Sequence, residues 1–337
     1  MRANGRNAFA VVHFMIVRRR NVMGNFARWI GTVSLALAAT TVFAQSWPSR
    51  PIRVLVGFGA GGATDISARL VSEEVGKRLG QPLVIENRPG VGGLLAANVV
   101  KTSPADGYTL FSGSATGFTS VFLKDNPMDP PKELQAVSLQ ALGDQFMFVR
   151  SDLGVNSIKE FVAKAKANKL RHAAVGPTQH IVAAIIAKEA GFEFDNIPYK
   201  TTDQVVAALL AGDVDFVTNS IPGMPPHLQS GKVRAIATMG SSRSSLQPNV
   251  PTLKEQGVNM EFRFNLGYWA PLGTPREAVQ KIGAAVAEAA KVPNVIEKMG
   301  VIGLTPVAST PEGLIRQHNA ELQIYAEGAK LTGFQPQ

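Results

Sequence analysis

Cysteine is absent from all 337 residues of this chain. Its absence excludes disulfides, thiolate metal sites and cysteine nucleophiles at once, and a chain this long builds cores that need no covalent staple. Histidine is scarce as well. Beyond residue 44 it occurs only as His172, His180, His227 and His318, without the spacing of a metal site. The run Ser112-Gly113-Ser114-Ala115-Thr116-Gly117 lacks the leading glycine of a hydrolase nucleophile elbow. Low-complexity tracts and internal repeats are missing too, and no basic patch interleaved with aromatics points to a nucleic-acid partner.

The first 44 residues contain no acid. They carry six arginines (Arg2, Arg6, Arg18, Arg19, Arg20 and Arg28), and residues 29–43 form an apolar run of small residues. Val42-Phe43-Ala44 offers small side chains at the two positions a signal peptidase reads, so residues 1–44 are expected to be a secretory leader cleaved after Ala44. The run is too short, and too rich in alanine and threonine, for a membrane span. The six unbalanced arginines account for six of the formal charges of +9, leaving +3 on residues 45–337. The basicity therefore belongs largely to export, and the expected location is periplasmic. The composition, 45% hydrophobic and 18% charged, is that of an ordinary globular protein with room for two modest domains.

What is present is organised around residues 52–69, IRVLVGFGAGGATDISAR. Ile52, Val54, Leu55 and Val56 form a branched apolar run, the mark of a buried strand. Glycines and alanines surround Phe58, and Thr64 and Asp65 stand where a helix N-cap belongs. Ile66, Leu70, Val71, Val75 and Leu79 then recur at helical spacing. Strand, glycine loop and helix in that order present free backbone N–H groups at a positive helix end, which suits an anion.

Strand and helix signals alternate thereafter. Strands are expected at 83–86, 109–112, 137–142, 146–149, 172–175, 194–197, 214–218, 233–238 and 268–270. Helices are expected after Ser157, over 181–190 and 203–210, and after Thr274-Pro275 and Thr310-Pro311, where a cap precedes a proline at the first helical position. Such alternation predicts an α/β fold with mainly parallel sheet, and ligands there bind beyond the carboxyl ends of the strands. The small-residue loops, including Ser112-Gly113-Ser114, Gly176-Pro177-Thr178-Gln179-His180, Tyr199-Lys200-Thr201 and Asn219-Ser220, lie at those ends.

Gly57-Phe58-Gly59-Ala60-Gly61-Gly62 matches the dinucleotide fingerprint G-x-G-x-x-G, and Glu86 ends the next strand where such folds place a ribose-binding acid. This is the alternative reading, an NAD(P)-dependent oxidoreductase. Two observations oppose it. Asp65 at the helix start would repel a pyrophosphate, and the leader sends the chain to a compartment without a nicotinamide pool. No cofactor is expected. His180 serves equally as a helix-cap residue, Tyr199 as an interface aromatic and Asp65 as a pure N-cap; the joint placement of hydroxyl residues after strand ends is the stronger signal.

The order WPSRPIRVLV, GFGAGGATDISARL, LGQPLVIENRPGVGG, SPADGYTL, IPYK, LLAGDVDF, SGKVRAIA, VPTLKEQG and APLGTP resembles the Bug family, the extracytoplasmic solute receptors of tripartite tricarboxylate transporters. The likeness runs from Trp47 to about Lys330. It implies a type II periplasmic binding protein fold, with two α/β lobes closing on a small carboxylate, and a receptor instead of a catalyst. The division expected is residues 45–149 plus 268–337 for one lobe and 150–267 for the other. The resemblance implies that the loop of Phe58, Gly59, Ala60, Gly61 and Gly62 pinches one carboxylate end against Tyr199 to Thr202, Thr201 among them, and Asp65 is a further candidate contact. Ser112, Ser114, Thr178, His180 and Asn219 would line the remainder. Loops 57–65, 112–117 and 176–180 contain no lysine or arginine, so backbone amides, hydroxyls and helix ends would hold the anion. The chain departs from the family's pattern at Gly57 and Gly59, where proline is common, at 176–180, where a G-x-G-S-like run is usual, and at Thr201, where glycine usually follows the Tyr-Lys pair. The partners implied are a small organic acid and the membrane subunits of a transporter, with the receptor itself a monomer; a sensor that presents its ligand to a kinase is the weaker alternative.

Overall fold

The computed structural model describes residues 47–220 and 224–336. The expected leader lies outside the described residues, as do 221–223.

Strand β1 (Ile52–Val56) is parallel to both β2 (Leu83–Asn87) and β3 (Thr109–Gly113), with Val54 opposite Ile85 on one side and Leu110 on the other. Covered on both sides, its apolar run is buried, as a central parallel strand requires. Helices α1 (Ala63–Leu79) and α2 (Leu94–Lys101) follow β1 and β2. After the short α3 (Pro130–Glu133) comes β4 (Leu134–Gly143). The chain then leaves this sheet at Asp144 and Gln145, because β5 (Phe146–Arg150) belongs to a second one.

The second sheet is built by α4 (Ile158–Ala167), β6 (Leu170–Val175), α5 (Pro177–Ala190), β7 (Phe194–Tyr199), α6 (Thr202–Ala211), β8 (Phe216–Asn219), α7 (Pro225–Gln229) and β9 (Val233–Thr238). The chain returns through residues 239–263 to β10 (Phe264–Pro271). It closes with α8 (Arg276–Ala289), α9 (Pro293–Val301), β11 (Leu304–Pro306) and α10 (Pro311–Thr332). The strand orders are β11-β4-β10-β3-β1-β2 and β7-β6-β8-β5-β9.

Several expectations need correction. The sheets are mixed, because the strands nearest the two crossings run antiparallel to their neighbours: β10 against β3 and β4, and β5 against β8 and β9. The strand at 146–149 is a full member of the second sheet, so the first passage falls at 144–145 and not after 149. The return strand begins at Phe264, four residues before the expected boundary. Helix α10 does not stay with the first sheet. Leu314 near its start is packed in that sheet's core beside Trp269, whereas Tyr325 sits in the second sheet's core with Phe122 and Phe262.

The caps divide likewise. Ser157 accepts the Glu160 N–H at 3.2 Å and Thr310 the Gly313 N–H at 3.2 Å, as the pattern requires. Thr274 instead donates to the Pro271 carbonyl at 2.8 Å, and α8 starts only at Arg276. Helix α1 starts at Ala63 with Gly62 as an N-cap that makes no side-chain cap, so Thr64 and Asp65 lie inside its first turn.

Candidate functional site

A cavity of about 480 Å³ opens between the carboxyl ends of the two sheets' strands. The first sheet contributes Phe58, Thr64, Gly92, Ser114, Thr116, Gly117 and Phe122 to its wall. The second contributes Thr178, Gln179, Val182, Thr218, Asn219 and Ser220. Gln145 from the outward passage, Phe262, Phe264 and Leu266 from the return, and Glu321 and Tyr325 from α10 complete it. Among the described residues, no lysine, arginine or histidine lines this cavity, and Glu321 is the one side chain there that can be an anion near neutral pH.

Two helix ends converge on it. Thr64 lies in the first turn of α1, and Thr178 and Gln179 lie in the first turn of α5, which begins at Pro177 immediately after Gly176. Gly176 has φ +77, a conformation glycine adopts without penalty, and this turns β6 sharply into the helix. Neither end is capped by a side chain from its N-cap residue. The first-turn amides of both helices are therefore donors without intrahelical partners, at positive dipole ends, on opposite sides of one cavity.

A polar relay fixes the α5 end. The Thr218 hydroxyl donates to the Gln179 carbonyl at 3.0 Å, and His172 Nε2 accepts the Thr218 N–H at 3.3 Å. The other ring nitrogen of His172 faces Asn196 Oδ1 at 2.8 Å, so it carries the proton. Burial lowers the imidazole pKa to about 4, which keeps the ring neutral in this role.

The loop at 57–62 is tied differently. Asp65 Oδ2 accepts the Gly61 N–H at 2.9 Å and the Arg69 Nε–H at 3.0 Å, and Oδ1 accepts from Asn87 Nδ2 at 2.8 Å. Burial alone would raise the Asp65 pKa; the hydrogen bonds from Arg69, Gly61 and Asn87 outweigh it and hold the carboxyl below its usual range. The aspartate thus closes its own loop and is balanced by Arg69. Gly57 is required for packing, since a Cβ there would stand 2.6 Å from the Gly93 Cα. Glu86, the acid expected to bind a ribose in the dinucleotide reading, is paired with Arg53 at 2.6 Å and Arg88 at 2.5 Å.

Of the expected site residues, Phe58, Ser114, Thr178 and Asn219 line the cavity. Gly59, Ala60, Gly61, Gly62 and Asp65 stand outside its wall. Ser112 is buried within the first sheet, donating to Gln140 Oε1 at 2.6 Å, while Gln140 Nε2 donates to Ser67 at 2.6 Å. His180 is turned onto the Phe194 ring, 5.9 Å between centroids, in an edge-on contact. Tyr199 ends β7 opposite Val175. Thr201 caps α6 by accepting the Gln204 N–H at 3.3 Å. These residues are shaped by local structure, and none of them joins the wall.

Glu321 and Tyr325 carried no expectation. Their signal is visible in α10 nonetheless: Leu314, His318, Glu321 and Tyr325 fall on one helical face, all buried, and an acid in such a stripe is out of place unless it serves a site. Among the described residues no helix is long and apolar enough to cross a membrane, and no group of side chains suits a metal ion.

Residues 67–323 match the family described as tripartite tricarboxylate transporter family receptor. The chain is 35% identical over 297 residues to a protein from the gbd 5' region of Cupriavidus necator, covering 86% of this chain and 90% of that one. It is 31% identical over 324 residues to BugT of Bordetella pertussis, covering 92% and 98%. Among solved structures it is similar to an adipate-bound protein of R. palustris, with TM-score 0.70, 28% identity and coverage of 86% and 100%. It is also similar to malate-bound MatC of Rhodopseudomonas palustris, with TM-score 0.64, 28% identity and coverage of 84% and 99%.

Proposed function

The chain belongs to the tripartite tricarboxylate transporter receptor family, and from that premise we propose that its cleft captures a small organic carboxylate and hands it to the membrane subunits of a transporter. It is a solute-binding receptor and not an enzyme. The observation that carries the carboxylate reading is the pair of helix ends, α1 with Thr64 and α5 with Thr178 and Gln179, that face one cavity from opposite sheets. Each end offers N–H donors and partial positive charge, and Ser114, Thr116 and Asn219 add polar side chains between them. An anion bridging the two ends draws the sheets together, and the crossings at 144–145 and 239–263 are where such a closure would bend. Charge-assisted hydrogen bonds of this kind are worth roughly 1.5–3 kcal/mol each, so a few suffice without an arginine clamp.

Receptors of this family are periplasmic. For this chain we read residues 1–44 as a leader cleaved after Ala44, and the receptor as a monomer. The malate and adipate bound by the two similar structures support an acid ligand for this chain too. The oxidoreductase reading fails on the family and on the loop itself, where Asp65 occupies the Gly61 amide that a pyrophosphate would need.

Native mass spectrometry of the receptor, purified from periplasm without denaturation, tests the proposal. The expected result is a non-covalent adduct with the mass of a small organic acid, which calorimetry then returns as a ligand. Thr178→Val is expected to weaken that binding about tenfold, or roughly 1.4 kcal/mol. Micromolar binding of NAD or NADP, with no organic acid bound, would overturn it.

A further inference from the structure

The wall of the cavity is not uniform. Its mouth is polar and partly open to solvent: Thr64, Ser114, Thr178 and Asn219 are all intermediate in exposure. Its floor is aromatic and buried, with Phe122 9% exposed, Phe262 4%, Tyr325 6% and Leu266 1%. The Phe122 and Tyr325 rings meet edge to face at 5.2 Å, and Phe262 packs on Tyr325 at 5.6 Å.

Glu321 is set into this floor, 2% exposed. Its Oε2 accepts the Asn265 N–H at 3.1 Å and also the Asn265 Nδ2–H. The Thr116 and Tyr325 hydroxyls face the same carboxyl. Because two N–H groups already point at Oε2, a proton on this acid belongs on Oε1. Burial raises the Glu321 pKa to about 8, against the hydrogen bonds from Asn265 and the nearby Thr116 and Tyr325 hydroxyls.

The surrounding groups do not offset that. On α10 the neighbours are Tyr325 and His318, whose pKa burial lowers to about 4, so it is neutral. On the return segment Arg263 and Glu261 border Glu321 from the opposite side, in a second cavity of about 310 Å³. Arg263 is committed to Asp144, an ion pair at 2.8 Å without hydrogen-bond alignment. The floor therefore presents a neutral acid and aromatic side chains near pH 7, and no cation among the described residues.

Resting on the carboxylate reading above, we propose that the cleft selects acids with a single carboxylate, held at the polar mouth, and an uncharged alkyl or aromatic body laid on the Phe122–Phe262–Tyr325 floor, where no cation is at hand for a second carboxylate. A second carboxylate reaching the floor would lose its water and find no cation, and a single hydrogen bond from protonated Glu321 amid apolar side chains would not replace that hydration. An apolar body there gains burial instead. A Glu321 that ionises adds a buried negative charge beneath the ligand, so affinity falls as pH rises through about 8.

Calorimetry on the ligand-free receptor with hexanoate, 3-phenylpropanoate and adipate, at pH 6.5 and pH 9, decides this. Hexanoate and adipate share a carbon count and differ by the second carboxylate. At pH 6.5 hexanoate and 3-phenylpropanoate are expected to bind at least tenfold more tightly than adipate. At pH 9 both should weaken about fivefold in the wild type and less than twofold in Glu321→Gln, which has nothing to ionise at that position. Should the variant unfold, the wild-type comparison of the three acids stands alone. Adipate binding as tightly as hexanoate, or wild-type affinity for hexanoate that is flat across this pH range, overturns the inference. If malate binds while hexanoate and 3-phenylpropanoate do not, the inference falls and the carboxylate receptor stands. If no carboxylate binds, both fall together.

Discussion

The loop at 57–62 and the floor of the cleft are built in opposite ways. The loop is local: one strand end, four glycines, and an aspartate four residues beyond Gly61 that hydrogen-bonds back to it. The floor is assembled from far apart, with Phe122 from one sheet, Phe262 from the return passage and Tyr325 from the last helix. The loop announces itself in any sequence scan, yet Phe58 is the one residue of it that lines the cavity. The floor leaves only one sign in the sequence, the acid in the apolar stripe of α10, and that acid is the lone one of the wall. A motif shows where the backbone turns; the residues that meet at that turn are set by topology.

The sharpest way to break the contrast is to disturb the floor from a distance. Gly328 lies on α10 against α5, where a Cβ would stand 2.4 Å from Ile181 Cγ2 and 2.9 Å from its carbonyl oxygen. Gly328→Val forces the end of α10 off the second sheet. Overpacking of this kind is expected to cost about 3 kcal/mol in chemical denaturation, and to loosen ligand binding through Tyr325 and Glu321 although neither is altered. Unchanged stability would show that α10 does not brace the floor.

Asp65→Asn is the next largest. It replaces a carboxylate that accepts from Gly61, Arg69 and Asn87, and the expected loss is about 2 kcal/mol at pH 7. Because the folded pKa of Asp65 lies below its unfolded value, near 3.9, the stabilisation is complete above that value and is lost as pH falls through the folded pKa. Denaturation at pH 7, 5 and 3 should therefore show wild type and variant converging at the acid end. A constant gap would mean that the charge is not what holds the loop.

The smallest effect is expected at the most conspicuous position. Gly61 has φ +81 with open space where a Cβ would go, so Gly61→Ala is expected to cost about 1 kcal/mol of backbone strain and to change affinity less than threefold. An anion resting on the Gly61 amide would make that change far larger, but Asp65 already holds the amide. Ser245→Val, outside the cavity wall, is the control and should move neither quantity.

Much of the fold was legible because its signals are short-range. The β1 run, the caps at Ser157 and Thr310, and the alternation of strand and helix are properties of neighbouring residues. The crossings were harder: nothing in Phe146-Met147-Phe148-Val149 says which sheet its hydrogen bonds will join. The site was half legible. Ser114, Thr178 and Asn219 follow strand ends and so reach the cavity, whereas Ser112, Tyr199 and Thr201 look the same in sequence and are absorbed by the core, a strand end and a helix cap. Glu321 sits more than 200 residues beyond Ser114 in the chain, and only packing brings them to one wall.

The most direct test of the account is a crystal structure of the receptor with the acid that co-purifies with it. The expected carboxylate lies between the first turns of α1 and α5, within hydrogen-bonding distance of Thr178 and Ser114, with the Asp65 to Gly61 bond intact. A carboxylate seated on the amides of residues 59–62, with Asp65 displaced from Gly61, would contradict it and return the site to the glycine loop.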